Sequence, residues 1–288
     1  GGDSIGGAIA VRSSPPVFVN PGEGLKTSGN VSAFHRSNGN VKSASVRTTV
    51  AGENFSLGYV GNTVDAGSYK DGNGKEVIAS RYKVRNNALN FANRSGGDLL
   101  TLDIGWQDIP LQGFPNQAMD MTSNKSVSIN AGYKTQVSWG DLEARAFRQK
   151  VRHKMDIFAE KESMMGMPMD TDAVDLGYSI VGTTQLNEKQ IARFGQEFHR
   201  YTLDDWWPPL ASGFMAPHDF WNIRDGKRDR FAIFGELDTK VNEKLSTQFG
   251  ARIEQVSMNT GNVQGYFSAA DAPGTYTDMM GNPVTYND

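Results

Sequence analysis

The chain has 288 residues, 29 Lys and Arg against 32 Asp and Glu, a net charge of −3 and no cysteine. This balance gives no basic field for binding nucleic acid, and without cysteine these residues form neither disulfides nor Cys-based metal sites. No apolar run reaches the roughly 20 residues that a transmembrane helix needs. A membrane-spanning barrel does not need such a run, because only alternate residues of its strands face lipid.

Alternating apolar and polar residues predict a series of long strands from residue 28 onward. Val127, Ile129 and Tyr133, for example, alternate with Ser128 and Asn130. In chain order, the predicted strands cover 28–37, 41–51, 54–66, 78–93, 98–109, 125–138, 142–156, 173–186, 190–204, 228–241 and 245–258. Many of them exceed ten residues, whereas strands of globular sheets have about five or six. About ten tilted residues are enough to cross the hydrocarbon layer of a membrane.

Short turns and long polar loops alternate between these strands. The short connections lie at 52–54, 94–97, 139–141, 187–189 and 242–244, and the long ones fall near 67–77, 110–124, 157–172, 205–227 and 259–288. Outer-membrane barrels have this rhythm, because their periplasmic turns are short and their extracellular loops are long.

The predicted fold class is therefore all-β: an antiparallel, up-and-down transmembrane β-barrel, represented here in part by about eleven strands. A soluble β-sandwich would share the alternation of apolar and polar residues. It would not explain the strand lengths, the consistently polar second face or the alternating loop lengths. We expect Leu102, Ile104, Val127, Ile129, Ile233, Leu237, Phe249 and Ile253 to lie on the outward face and to be exposed.

The first residues carry a family resemblance. The segment Ser4-Ile5-Gly6-Gly7-Ala8-Ile9 resembles the end of the plug domain in TonB-dependent outer-membrane receptors, where an AIGGxI-type strand precedes the first barrel strand. The resemblance implies that 1–20 is the C-terminal end of a plug domain and that 21–288 is the first part of the barrel. It also implies a location in the bacterial outer membrane, in contact with lipid and lipopolysaccharide.

The same resemblance indicates what the sequence lacks. Most of the plug and about half of the 22-stranded barrel of these receptors have no counterpart here, so we expect the chain to be an internal fragment. The TonB complex would bind through the missing N-terminal region.

Candidate metal ligands lie near the upper end of the strand predicted at 142–156. His153 and Met155 are separated by one residue, so they share a face of that strand. Glu143, Arg145 and Gln149 lie on the same face, which is therefore interpreted as the lumen. Imidazole and thioether groups suit soft or borderline metals, Cu(I) above all, and do not suit Ca or Mg. The alternative interpretation is an incidental histidine in the lumen.

A methionine-rich loop follows this strand. It contributes four possible auxiliary ligands, which are Met164, Met165, Met167 and Met169. Clustered methionine on an exposed loop is unusual, because methionine normally fills a hydrophobic core. The loop either binds a soft metal or folds inward over the plug as hydrophobic cover, and the residues alone leave both interpretations open.

Within the receptor family, His153-Lys154-Met155 resembles the barrel half of a pattern found in the copper receptor branch. That pattern joins Cys-x-x-x-Met in the plug to His-x-Met in the barrel. The resemblance implies a copper ion as the transported ligand and no organic cofactor. The cysteine half would precede residue 1.

Other residues give weaker signals. His199, Met215 and His218 could add ligands, but their spacing places them on no shared face. Asp, Ser and His show no spacing that suggests a catalytic triad, and the glycines at 1–7 precede no helix that could bind phosphate. The chain is therefore not expected to be an enzyme.

Three functions are compatible with the sequence. The leading one is a TonB-coupled importer that binds copper between barrel and plug. A ferric-siderophore or cobalamin receptor would have an aromatic and Arg-rich extracellular pocket, and its function would not depend on His153 or Met155. A passive porin-like or adhesin-like barrel would have an open lumen with charged constriction residues and no plug.

Overall fold

The computed structural model describes residues 14–162, 166–210 and 219–263, together with the two short strands at 276–277 and 283–284. The predicted plug segment lies mostly outside these residues. Eleven antiparallel strands form one sheet, and each pairs with the next along the chain. They are β1 (Lys26–Arg36), β2 (Val41–Ala51), β3 (Phe55–Ala66), β4 (Tyr82–Ser95), β5 (Asp98–Gln112), β6 (Asp120–Val137), β7 (Gly140–Asp156), β8 (Met169–Asn187), β9 (Gln190–Trp207), β10 (Phe220–Lys240) and β11 (Ser246–Asn259). The up-and-down order predicted from the sequence is confirmed.

Helical structure in the described residues is limited to two 3₁₀ turns, Asn38–Asn40 and Ala159–Lys161. In this part of the chain, no helix has the length and apolar character needed to span a membrane. β12 (Tyr276–Thr277) and β13 (Pro283–Val284) pair only with each other.

Several strands extend further than predicted. β6 begins at 120 rather than 125, β8 at 169 rather than 173 and β10 at 220 rather than 228, while β9 continues to 207 rather than 204. These extensions carry many polar residues, so alternation could not identify them, but their backbones still pair with the neighbouring strand. β4 is shorter than predicted and starts at 82. Ala79, just before it, has a φ of 53°, which is incompatible with a strand.

The long connections leave one edge of the sheet and the short ones leave the other. Residues 67–81, 113–119, 157–168 and 208–219 connect strands at what we call the long-loop edge. At the opposite edge, the connections run from two residues, at 96–97, to five residues, at 241–245. The β1–β2 connection is an exception, because it lies at the long-loop edge yet spans only 37–40.

The two faces of the sheet differ in chemistry. The register places Ile104 of β5 opposite Ile129 of β6, and Ile233 of β10 opposite Ile253 of β11, on an apolar face. Of the eight residues predicted to face outward, five are well exposed: Val127 (51%), Ile129 (43%), Ile233 (48%), Phe249 (73%) and Ile253 (72%). The other three, Leu102, Ile104 and Leu237, are half-buried. None of the eight is buried, so this face does not form a soluble core.

Buried apolar residues in the described part of the chain are few and mostly small. They are Val19, Val41, Ala51, Ala66, Ala79, Ala92, Ile109, Phe158, Ala173, Phe220 and Ala232. In the described part of the chain, no second layer of strands or helices packs against the sheet. The opposite, polar face carries ion pairs, such as those of Arg193 with Glu236 and Asp238 at 2.5 Å each. The described structure is therefore a single sheet with one polar face and one mostly apolar face. The mostly apolar face also carries charged residues of β7, such as Arg148 opposite Ile129 and Arg152, which pairs with Asp172 near the long-loop edge.

Candidate metal site on the polar face

β7 places His153 on the polar face near the long-loop edge. The register sets it opposite Asn124 of β6 and Thr171 of β8. Its Nδ1 lies 3.1 Å from the side-chain oxygen of Asn124, so the ring is held against the sheet by one nitrogen. This contact leaves Nε2 as the nitrogen available to a ligand.

His153 lines an open recess in the polar face. The other lining residues come from four neighbouring strands and are Asn124, Gln149, Val151, Thr171, Ala173, Asp175 and Tyr201. His153, which the sequence predicts to face a lumen, thus lies at an accessible hollow lined by mixed polar and apolar side chains. A small cation could reach the ring from this side.

Met155 lies next to His153 on the same face, one step closer to the long-loop edge. The register places it directly between Met121 of β6 and Met169 of β8. Residues directly opposite each other in an antiparallel pair have Cβ atoms about 4.5–5.5 Å apart and share a face. We call Met121, Met155 and Met169 the methionine row. Three thioethers beside one imidazole form a donor set that favours Cu(I) over harder ions.

Sequence reasoning missed Met121, for an identifiable reason. In strict alternation, Met121 would share the face of Val127 and Ile129. The β6–β7 register shifts by one residue between Met121 and Ser123. This β-bulge turns Met121 to the face of Met155. Neither the bulge nor the extension of β6 is visible in the hydrophobic pattern.

The other predicted ligands have different outcomes. Met169 belongs to the methionine row, whereas Met167 is 39% exposed in the loop beyond it. Met164 and Met165 lie outside the described residues.

The weaker candidates do not join the site within the described structure. Met215 and His218 also lie outside the described residues. His199 is on the polar face, but its Nε2 contacts the Asp175 carboxylate at 2.5 Å. Across the described residues, no three His, Cys, Asp or Glu side chains are grouped so that they could hold a metal. A metal site here would therefore depend on thioether sulfur.

A buried ion pair fixes the loops beside the methionine row. Asp120, the residue before Met121, is fully buried. Its Oδ1 accepts hydrogen bonds from Lys161 Nζ at 2.7 Å and from the Phe114 amide at 2.8 Å, and its Oδ2 accepts one from the Phe158 amide at 3.0 Å. Lys161 also donates to the Phe114 and Gln117 carbonyls. This network ties the 113–119 loop to the 157–162 segment.

Two further contacts hold the 157–168 loop. Asp156 Oδ1 accepts hydrogen bonds from the amides of Ile157 and Met167, which lie near the two ends of the loop, at 2.8 Å each. Arg81 binds Glu160 through two hydrogen bonds, at 2.9 and 3.2 Å. Sequence reasoning could not find the Arg81–Glu160 pair, because its partners lie 79 residues apart along the chain.

Comparisons with known proteins give a fold likeness. No protein-family model and no curated protein matches the chain. The solved structure described as "Copper transporter OprC" superposes with a TM-score of 0.74 at 21% identity, covering 85% of this chain and 39% of that one. The FrpB iron transporter from Neisseria meningitidis (F3-3 variant) gives a TM-score of 0.58 at 13% identity, covering 82% and 42%. The sheet thus has the fold of part of these two solved transporters, and this chain spans about two fifths of each of them.

Proposed function

We propose that this chain is part of an energy-coupled outer-membrane transporter for copper. The observation that carries the proposal is the methionine row beside His153, because clustered thioethers with one imidazole select a soft cation. The likeness to a copper transporter supports it. The likeness to an iron transporter shows that the fold alone does not determine the cargo. The neighbours are transporters, which favours transport over catalysis.

In this proposal, copper arrives at the long-loop edge and is held by the methionine row and by His153 Nε2. The remaining ligands would come from the plug, at the surface that faces the polar side of the sheet. Movement of the plug, driven through the TonB complex, would remove those ligands and release the ion inward. Because thioethers are weak donors to hard ions, Mg and Ca would be excluded and Zn would bind less well than Cu(I).

The apolar face of the sheet would contact the lipid and lipopolysaccharide of the bacterial outer membrane. Its exposed side chains at mid-strand positions match the lipid-facing band of a barrel, and the polar face would then line the lumen. The long loops would be extracellular and the short turns periplasmic.

The Ile104→Lys change in the full-length receptor tests this orientation. Ile104 lies on the apolar face in the middle of β5, opposite Leu89 of β4 and Ile129 of β6, so a lysine there would place a charge in hydrocarbon. We expect the free energy of unfolding in lipid vesicles to fall by about 2–4 kcal/mol, measured by urea titration. Asn130→Lys is the matched control, since Asn130 lies opposite Asp103 on the polar face. Equal losses in the two variants would argue against a lipid-facing apolar surface.

Copper accumulation in cells tests the transport function. Cells that make the full-length receptor should accumulate radioactive copper faster than cells without it, and an uncoupler of the proton gradient should abolish the difference. Copper entry that persists with the uncoupler would favour a passive pore. Ferric-siderophore uptake without copper uptake would favour the siderophore receptor.

A further inference from the structure

A chain of side-chain amides leads across the polar face to His153. The His153 ring contacts Asn124 Oδ1 through Nδ1, and Asn124 Nδ2 donates to Gln107 Oε1 at 3.2 Å. Gln107 Nε2 donates to Asn86 Oδ1 at 2.7 Å, and Asn86 Nδ2 donates to Asn62 Oδ1 at 3.1 Å. These residues come from five consecutive strands, β7 back to β3. We call Asn62, Asn86, Gln107 and Asn124 the amide relay.

The hydrogen bonds of the amide relay all run in the same direction. Asn124, Gln107 and Asn86 each donate through their NH₂ group to the next amide towards β3, and every amide oxygen of the relay faces β7. Because the oxygen of Asn124 faces His153, only a protonated Nδ1 can complete the hydrogen bond. The neutral ring must then carry its proton on Nδ1, which leaves the Nε2 lone pair free. Neutral histidine in water favours the Nε2–H tautomer, so the relay reverses the usual preference of the ring.

An oxygen acceptor also lies on the β8 side of His153. Thr171, opposite His153 on β8, donates its hydroxyl to Asp205 Oδ2 at 2.7 Å, and Asn222 Nδ2 donates to Asp205 Oδ1 at 2.7 Å. Oxygen acceptors therefore lie on both sides of His153: the Asn124 amide oxygen on the β6 side and, beyond Thr171 on the β8 side, the Asp205 carboxylate.

We propose that the amide relay positions His153 for metal binding by fixing its tautomer and its ring orientation. A metal-ligating histidine commonly donates its second N–H to an oxygen acceptor that fixes the ring in this way. Asn62, Asn86, Gln107 and Asn124 are thus positioning residues, acting on the ligand atom through Nδ1. The role of the relay in metal binding rests on the proposed copper function, whereas the predicted Nδ1–H tautomer of His153 does not.

The test is ¹⁵N NMR of the full-length, metal-free receptor labelled at histidine, at a pH where the rings are neutral. The signal of His153 is assigned by its loss in His153→Ala. We expect the wild type to show the Nδ1–H tautomer. Asn124→Leu should shift the population to Nε2–H, and Gln107→Leu should shift it in the same direction. Asn124→Asp should retain Nδ1–H, because a carboxylate still accepts the hydrogen bond.

The control is Asn90→Leu. Asn90 lies on the same strand and face as Asn86 but donates to Asp103 outside the relay, so the tautomer should not change. A wild-type Nε2–H tautomer would overturn the proposal, as would an Nδ1–H tautomer that persists in Asn124→Leu. If the tautomer of His153 shifts in Asn124→Leu but not in Gln107→Leu, Asn124 alone fixes the tautomer and the relay is overturned.

Copper titration of the same variants separates this inference from the proposed function. Asn124→Leu should lower the Cu(I) affinity by about 10–100-fold, the usual cost of losing an outer-shell partner, while Asn90→Leu should not change it. If the wild type binds no copper, the proposed function fails and the tautomer result still stands. If copper binds with unchanged affinity in Asn124→Leu, the relay fails as a positioning device and the copper function stands.

Discussion

Replacing both His153 and Met155 with alanine is expected to lower the Cu(I) affinity of the full-length receptor by more than the roughly 10–100-fold that loss of an outer-shell partner costs a metal site. The reason is that the change removes direct ligands, namely the imidazole and the central thioether of the methionine row. Met121 and Met169 would remain, but the register leaves them separated by the width of β7. The measurement is competition with a Cu(I)-specific chelator under anaerobic, reducing conditions.

The matched control replaces Arg152 and Lys154 with alanine. These residues flank His153 on β7 but belong to the opposite face, where they form ion pairs with Asp172 and Asp170. Their loss should leave Cu(I) affinity unchanged. If the His153→Ala, Met155→Ala variant also kept its affinity and its copper uptake, a siderophore-type ligand would become the better interpretation. The methionine-rich loop would then be hydrophobic cover.

The second large effect is expected at the buried ion pair beside the methionine row. Lys161→Met leaves the fully buried Asp120 carboxylate without its cation, and breaking such a pair costs about 3–5 kcal/mol. The cost should appear as easier opening of the 157–162 segment, because the amide of Phe158 bonds to this carboxylate. Hydrogen exchange at the Phe158 amide measures the free energy of opening directly.

Lys154→Met is the control for this change. Lys154 also pairs with an aspartate, but its side chain is 57% exposed, so the loss should be below about 1 kcal/mol. Equal protection of the Phe158 amide in wild type and Lys161→Met would show that the pair does not hold the loop.

The fold was predictable from the sequence because two independent patterns agree. Alternation identified most of each strand, and the loop rhythm identified the order of the strands and the edge from which the long loops leave. The upper parts of β6, β8 and β10 could not be predicted. Their residues are held by pairing with neighbouring strands rather than by an apolar stripe, and backbone pairing leaves no mark on residue type.

The candidate site was predictable only within one strand. His153 and Met155 share a face by local spacing, and both lie on the polar face near the long-loop edge, while their role as metal ligands stays a prediction. Met121 lies opposite Met155 because of the bulge in β6, and Asn124 lies opposite His153 because of the β6–β7 register. Both depend on contacts between strands, which local spacing does not reveal. The pairing of Asp120 with Lys161, 41 residues away, likewise depends on how two loops fold together.

The most direct test of the proposed copper site is the anomalous difference density of the protein, crystallised with Cu(I) and measured at the copper edge. The predicted result is a copper peak bonded to His153 Nε2 and to the Met155 sulfur, on the polar face of the sheet. Copper that is absent from this position, or bound only by oxygen ligands elsewhere in the protein, would contradict the proposed site.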